Sequence, residues 1–149
     1  MSKRVYLSQF GYAHVTMEGG YISGRLLYPL LTIHRVNQTY AYQINLFNLM
    51  NFMEFVSDRF ASANVDYYLN GFIFNKFPLI IKLKLREVAI AKILYGGVNA
   101  ENNPVLGSNT IKFPNNDELP TTYSLNNKSY MEVSVGMANI FKILRVDVF

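Results

Sequence analysis

The sequence predicts an all-β chain: an antiparallel meander of about six long strands forming part of a transmembrane β-barrel of the outer-membrane type. Three observations carry that expectation. Apolar and polar residues alternate at period two, the alternation holds over runs of ten residues or so, and the connections switch between tight turns and a long polar loop. Strands of globular sheets run to about 5–6 residues, whereas a tilted strand crossing a bilayer needs about 9–11.

Residues 5–18 read as one long strand continuing toward Ile22, with Tyr12, His14, Thr16 and Glu18 on one face and Ala13, Val15 and Met17 on the other. Gly24 and Pro29 break the pattern in "GRLLYPLLTIHRVNQ", a connection apolar enough to be packed. "LFNLMNFMEFV" (46–56) fits a strand, and a short amphipathic helix nearly as well, before a turn at Ser57-Asp58-Arg59. The clearest alternation is at 64–74: Val65, Tyr67, Leu69 and Ile73 fall on one face and Asn64, Asp66, Tyr68 and Asn70 on the other. A turn at 75–84 holds Pro78 and three lysines, and the strand at 85–97 alternates poorly because Arg86 and Lys92 share a face with Val88, Ile90 and Leu94.

Residues 99–129 hold eight asparagines and three prolines, the composition of a long exposed loop. The chain closes on a hairpin. Met131, Val133 and Val135 oppose Glu132 and Ser134, and Leu144, Val146 and Val148 oppose Arg145 and Asp147. Strand parity then puts 24–45, 75–84 and 138–142 at a periplasmic end and 57–59 and 99–129 at an extracellular end.

Composition points the same way. Only 16% of the 149 residues are charged, against about a quarter in soluble domains, and eleven Tyr and eleven Phe supply amphipathic rings suited to a membrane–water interface. The net charge of +4 is spread along the chain, which argues against nucleic acid as a partner. Without cysteine there is no disulfide, thiol nucleophile or thiolate metal site. The basic start "MSKRVYLSQFGY" lacks the apolar run of a secretory signal, and no 18-residue apolar stretch forms a transmembrane helix.

The candidates for chemistry are few. His14 shares a polar face with Thr16 and Glu18, and His34 lies in an irregular segment; neither has a second ligand or nucleophile spaced to complete a site. Asp66, Glu87, Glu132 and Asp147, with Arg86 and Arg145, read as the salt-bridged wall of a polar interior, since nothing near them fixes a substrate. "YGGVN" (95–99) lacks the glycine spacing and lysine of a phosphate loop.

Four segments, "YPLLTIHRVNQTYAYQ", "FNLMNFMEFVSDRFAS", "YYLNGFIFNKFPLIIKLKLREV" and "YMEVSVGMANIFKILRVDVF", carry a family resemblance over nearly the whole chain. Together they resemble the C-terminal barrel of an uncharacterised family of Bacteroidota outer-membrane proteins. In that family a carboxypeptidase-regulatory-like β-sandwich precedes a barrel distantly similar to BamA-type surface antigens. The resemblance implies an antiparallel transmembrane barrel and assigns no catalytic residue. Family members carry a signal peptide, the sandwich, earlier strands and one strand beyond the position of Phe149, so the chain is expected to be a single partial barrel domain (1–149) lacking its closing strand.

The sequence-based expectation is therefore a non-enzymatic outer-membrane segment with a structural or transport/assembly role in the cell envelope. Val65, Tyr67, Leu69, Ile73, Met131, Val133, Val135, Leu144, Val146 and Val148 face lipid, and Asn64, Asp66, Asn70, Glu132, Ser134, Arg145 and Asp147 face the lumen. Its partners are outer-membrane lipid and the remaining barrel strands; no cofactor or metal is called for. The alternative is a soluble β-barrel or sandwich binding a small apolar ligand, in which Val65, Tyr67 and Leu69 pack against Met131, Val133 and Val135 across a core.

Overall fold

A computed structural model describes residues 1–38, 43, 45–69, 71, 74–76, 84–104, 111–113, 115–116 and 119–149. The predicted positions Asn70 and Ile73, and most of the turn expected at 75–84, lie outside them. Among the described residues there are strands and three short 3₁₀ turns but no α-helix.

Six strands make the main antiparallel sheet: β1 (Ser2–Tyr6), β2 (Tyr12–Tyr21), β5 (Arg59–Tyr68), β6 (Arg86–Gly97), β10 (Ser129–Ile140) and β11 (Leu144–Val148), in the spatial order β1-β2-β5-β6-β10-β11. Four of them span ten or twelve residues. The expected count of about six is met, but by different strands. Residues 5–18 are not one strand: the chain reverses through a 3₁₀ turn at Ser8–Phe10, and β1 pairs antiparallel with β2 in the register Ser2↔Thr16, Arg4↔His14, Tyr6↔Tyr12. Ser8 (φ 54°) and Gly11 (φ 103°) supply the left-handed backbone that reversal needs.

Residues 46–54 form neither the expected strand nor a helix. They are turns and bends tied by side-chain amides, and only β4 (Phe55–Ser57) becomes a strand. Asn37 Nδ2 donates to Asn48 Oδ1 at 2.6 Å, the Asn51 amide to Glu54 Oε2 at 2.7 Å and the Phe52 amide to Gln38 Oε1 at 2.7 Å, while Phe47 makes an isolated backbone bridge to Val36, so side chains and one bridge take the place of a ladder. The 57–59 segment is likewise no hairpin turn. Asp58 interrupts an extended run from β4 into β5, its amide donating to the Gly97 carbonyl and its carbonyl accepting from Ile22. In the sheet order β2 neighbours β5, so residues 24–45 belong to the connection between those two strands, 22–58, and strand parity groups that connection with 98–128 and not with 69–85 and 141–143.

The chain divides into two compact units. The first comprises Met1–Met17, Ala63–Lys92 and Met131–Phe149. Its burial is inverted relative to a soluble sheet. Along β10, Met131, Val133, Val135 and Met137 are exposed while Glu132 and Ser134 are buried; along β11, Leu144, Val146 and Val148 are exposed while Arg145 and Asp147 are largely covered. The poor alternation of β6 has a simple cause, since Val88, Ile90 and Lys92 all point to the covered face.

The second unit, Glu18–Ser62 with Ile93–Tyr130, holds the apolar clusters. Val36, Phe47, Met50, Leu94 and Leu125 form one, with Phe55, Phe60 and Tyr130 against it; Leu31, Val56 and Phe113 form another. A second sheet runs β3 (Thr32–Ile33), β4, β9 (Tyr123–Ser124), and β7 (Asn115–Asn116) pairs with β8 (Leu119–Pro120). The segment 99–129 is therefore not a wholly exposed loop. Asn102, almost fully buried, donates through Nδ2 to the Gly24 carbonyl and Asp58 Oδ2 and accepts from the Leu26 amide at 2.8 Å, pinning the two long connections together.

Candidate functional site

The covered face of the first unit gathers its titratable side chains. Period two places Asn64, Asp66 and Tyr68 of β5 on that face, with Tyr12, His14 and Thr16 of β2, Lys92 of β6, Glu132 and Ser134 of β10, and Arg145 and Asp147 of β11. Lys92 is 2% exposed, and its ammonium lies in the field of Glu132 and Asp66 and 5.9 Å from the Phe149 ring centroid. Asp66 is close enough to feel Lys92, Arg145, His14 and Asp147. Arg145 Nε donates to Asp147 Oδ2 at 2.7 Å and its Nη1 to the Tyr68 hydroxyl at 2.9 Å. β5 and β11 are three strand spacings apart, roughly 14 Å in a flat sheet, so the Arg145–Tyr68 bond goes with a sheet curled around this face. Tyr68 stacks on Tyr12 with centroids 4.9 Å apart.

Gly136 makes that crowding possible. A Cβ there meets the Val146 carbonyl oxygen at 2.5 Å and the Asp147 carboxylate closer still, so any side chain displaces the Arg145–Asp147 pair. Several buried atoms of this face, Asp66 Oδ1, Ser134 Oγ, Asp147 Oδ1 and Arg145 Nη2, have no hydrogen-bond partner among the described residues.

The residues named from sequence distribute as follows. Asn64, Asp66, Glu132 and Ser134 are buried, Arg145 and Asp147 half-buried, and all six lie on the covered face. Met131, Val133, Val135, Leu144, Val146 and Val148 are exposed on the other. Val65, Tyr67 and Leu69 are only half-exposed, and the Tyr67 hydroxyl donates to the Phe10 carbonyl of the β1–β2 turn at 2.9 Å. The sequence pattern assigns no site role to Lys92, Tyr12 or Tyr68, although Tyr68 is in phase with Asn64 and Asp66, the one signal along the chain that points to it.

Two hydroxyl–imidazole pairs occur among the described residues. Ser2 Oγ lies 2.9 Å from His14 Nε2 on the exposed edge, and Ser57 Oγ lies 3.0 Å from His34 Nε2 in the second unit. Among the described residues no carboxylate hydrogen-bonds either ring, and Ser57 is fully buried, so neither pair combines the orienter and the access that nucleophilic catalysis needs. Among those residues no group of three or more His, Asp or Glu is placed to hold a metal.

The His34 pair is structural. Burial beside the Phe60 ring pushes the imidazole from its ordinary 6.5 down to about 4. The unfolded chain takes up a proton between those values and the folded one does not. Stability is therefore complete above about pH 6.5 and falls as the pH drops toward 4, by up to roughly 3 kcal/mol. Urea midpoints measured from pH 8 to 4 should show that loss, and His34→Gln should flatten it.

Residues 2–103 match the model of a family of unknown function, the DUF5686 C-terminal domain. The chain belongs to this family. In this DUF5686 C-terminal domain the match takes in β1 to β6 and stops short of β10 and β11. No curated protein and no solved structure matches the chain significantly.

Proposed function

We propose that this DUF5686 C-terminal domain is a segment of an outer-membrane β-barrel with a non-enzymatic structural or transport/assembly role in the cell envelope. On this reading Met131, Val133, Val135, Leu144, Val146 and Val148 face lipid and the Asp66–Lys92–Glu132–Arg145 face lines a polar lumen. The observation that carries the reading is the inverted burial of β10 and β11. A row of Val, Leu and Met left outside a sheet while Glu, Lys, Asp and Arg are taken inside costs free energy twice in water, and neither cost arises if the outer medium is hydrocarbon and the inner one water.

Strand lengths of ten and twelve residues and exposed rings close to strand ends, Tyr6, Tyr21, Tyr95 and Phe141, support it further. Among the described residues β1 and β11 each pair on one side only. Hydrocarbon offers no partner to an open edge, so the reading requires further strands, from the same polypeptide or another, to complete the wall. A soluble apolar-ligand binder has less support, because it needs Met131, Val133 and Val135 inside a core and the buried apolar clusters form elsewhere, in the second unit.

An alkaline wash of the cell envelope tests the assignment. The protein should remain with the membrane pellet and come away only in detergent; release into the aqueous wash contradicts it.

A further inference from the structure

At the end of the first unit where β10 turns into β11, a cleft of about 340 Å³ brings together Arg86, Lys142 and Arg145 beside the stacked rings of Tyr12 and Tyr68, with no carboxylate among its lining residues. The size is at the small end of ordinary ligand sites, roughly 300–1,000 Å³. We propose that this cleft binds a phosphate group, carried either by a free phosphate or by the headgroup of a lipid monoester.

Arg145 is the fixed element. Its Nε is held by Asp147 and its Nη1 by the Tyr68 hydroxyl, and the ring of Tyr68 lies 5.6 Å from the guanidinium carbon. Nη2 is left buried with no partner among the described residues. A guanidinium oriented by two bonds holds its positive charge fixed at the wall of the cleft, so little side-chain freedom remains to be lost when an anion binds beside it. Asp147 offsets one of the three positive charges, and Arg86 and Lys142, both exposed, supply the excess.

Lys142 is brought to the cleft by an unusual turn. Phe141 (φ 50°) and Lys142 (φ 66°) both adopt the left-handed backbone that primed hairpin turns require and that Asn-Gly ordinarily fills. A Phe-Lys pair held there is the kind of local strain that collects at binding sites. Ile143 and Leu144, also exposed, form an apolar rim next to the cations, which suits a phosphate with an acyl-bearing group attached. The geometry of the cleft does not depend on the strands crossing a bilayer.

The purified full chain in non-ionic detergent should be titrated calorimetrically at low ionic strength with inorganic phosphate and, separately, with dihexanoyl phosphatidic acid. Saturable one-to-one binding is expected. Lys142→Gln, at an exposed turn position, should keep the unfolding midpoint and weaken binding about tenfold, the scale of one charge-assisted contact, and Arg145→Lys should weaken it at least as much. Tighter binding of the lipid than of inorganic phosphate identifies a headgroup site, and equal affinities identify a free-phosphate site. Absence of saturable binding of either ligand, or affinities unchanged in both variants, overturns the proposal. Binding that persists in a protein released by alkaline wash keeps the site and removes the membrane assignment.

Discussion

Val133→Arg is expected to cost about 2–4 kcal/mol of stability in a bilayer, the range for a lipid-facing arginine near the midplane. Val133 is 61% exposed, and a substitution at such a position on a watery surface ordinarily changes stability by no more than about 0.5 kcal/mol. The two media therefore predict different results for a change that buries nothing in protein. Urea unfolding of the variant in phospholipid vesicles reads the difference. A Val133→Arg protein that inserts and unfolds like the wild type places water, not lipid, outside β10.

Lys92→Met should also destabilise the protein, for the opposite reason. Lys92 is enclosed on the covered face in the field of Glu132 and Asp66, and removing the ammonium leaves those carboxylates without their cation, a loss between the about 1 kcal/mol of a hydrated pair and the about 3–5 kcal/mol of a dry one. Methionine keeps most of the volume, so the loss is electrostatic. The double variant Lys92→Met/Glu132→Leu should recover a large part of it, because it deletes charges of both signs. A double-mutant cycle on the unfolding free energy measures that coupling. Additive losses would show that Lys92 and Glu132 act independently.

These two residues also mark how far the sequence could be read. β10 and β11 were legible because Met131 to Val135 and Leu144 to Val148 alternate without a slip, and an exposed-apolar, covered-polar sheet obeys the same period two as an ordinary one. The N-terminal hairpin was not, since alternation runs through its turn and the reversing signal is reduced to Ser8 and Gly11. Residues 46–56 misled for a different reason. Leu46, Phe47 and Met50 are buried by a bend-rich segment whose backbone is tied by Asn37, Gln38 and Glu54, and packing of that kind leaves no fixed period.

Composition alone predicts an exposed asparagine-rich segment. Asn102 reverses that, because a buried amide that meets a carbonyl, a carboxylate and a backbone amide is as well satisfied as in water. Neither its burial nor the convergence of Arg86, Lys142 and Arg145 at one cleft could be read along the chain, since each depends on strands distant in sequence becoming neighbours.

The chain contains no tryptophan, so single tryptophans report on their own surroundings. Val133→Trp and Val146→Trp sit on the exposed face of β10 and β11, and Tyr68→Trp sits on the covered face. Reconstituted in vesicles whose acyl chains carry bromine, the first two should be strongly quenched and insensitive to aqueous iodide, with Tyr68→Trp spared by the brominated lipid. Quenching of the Val133 and Val146 variants by iodide and not by the brominated chains would contradict the inverted, lipid-facing sheet.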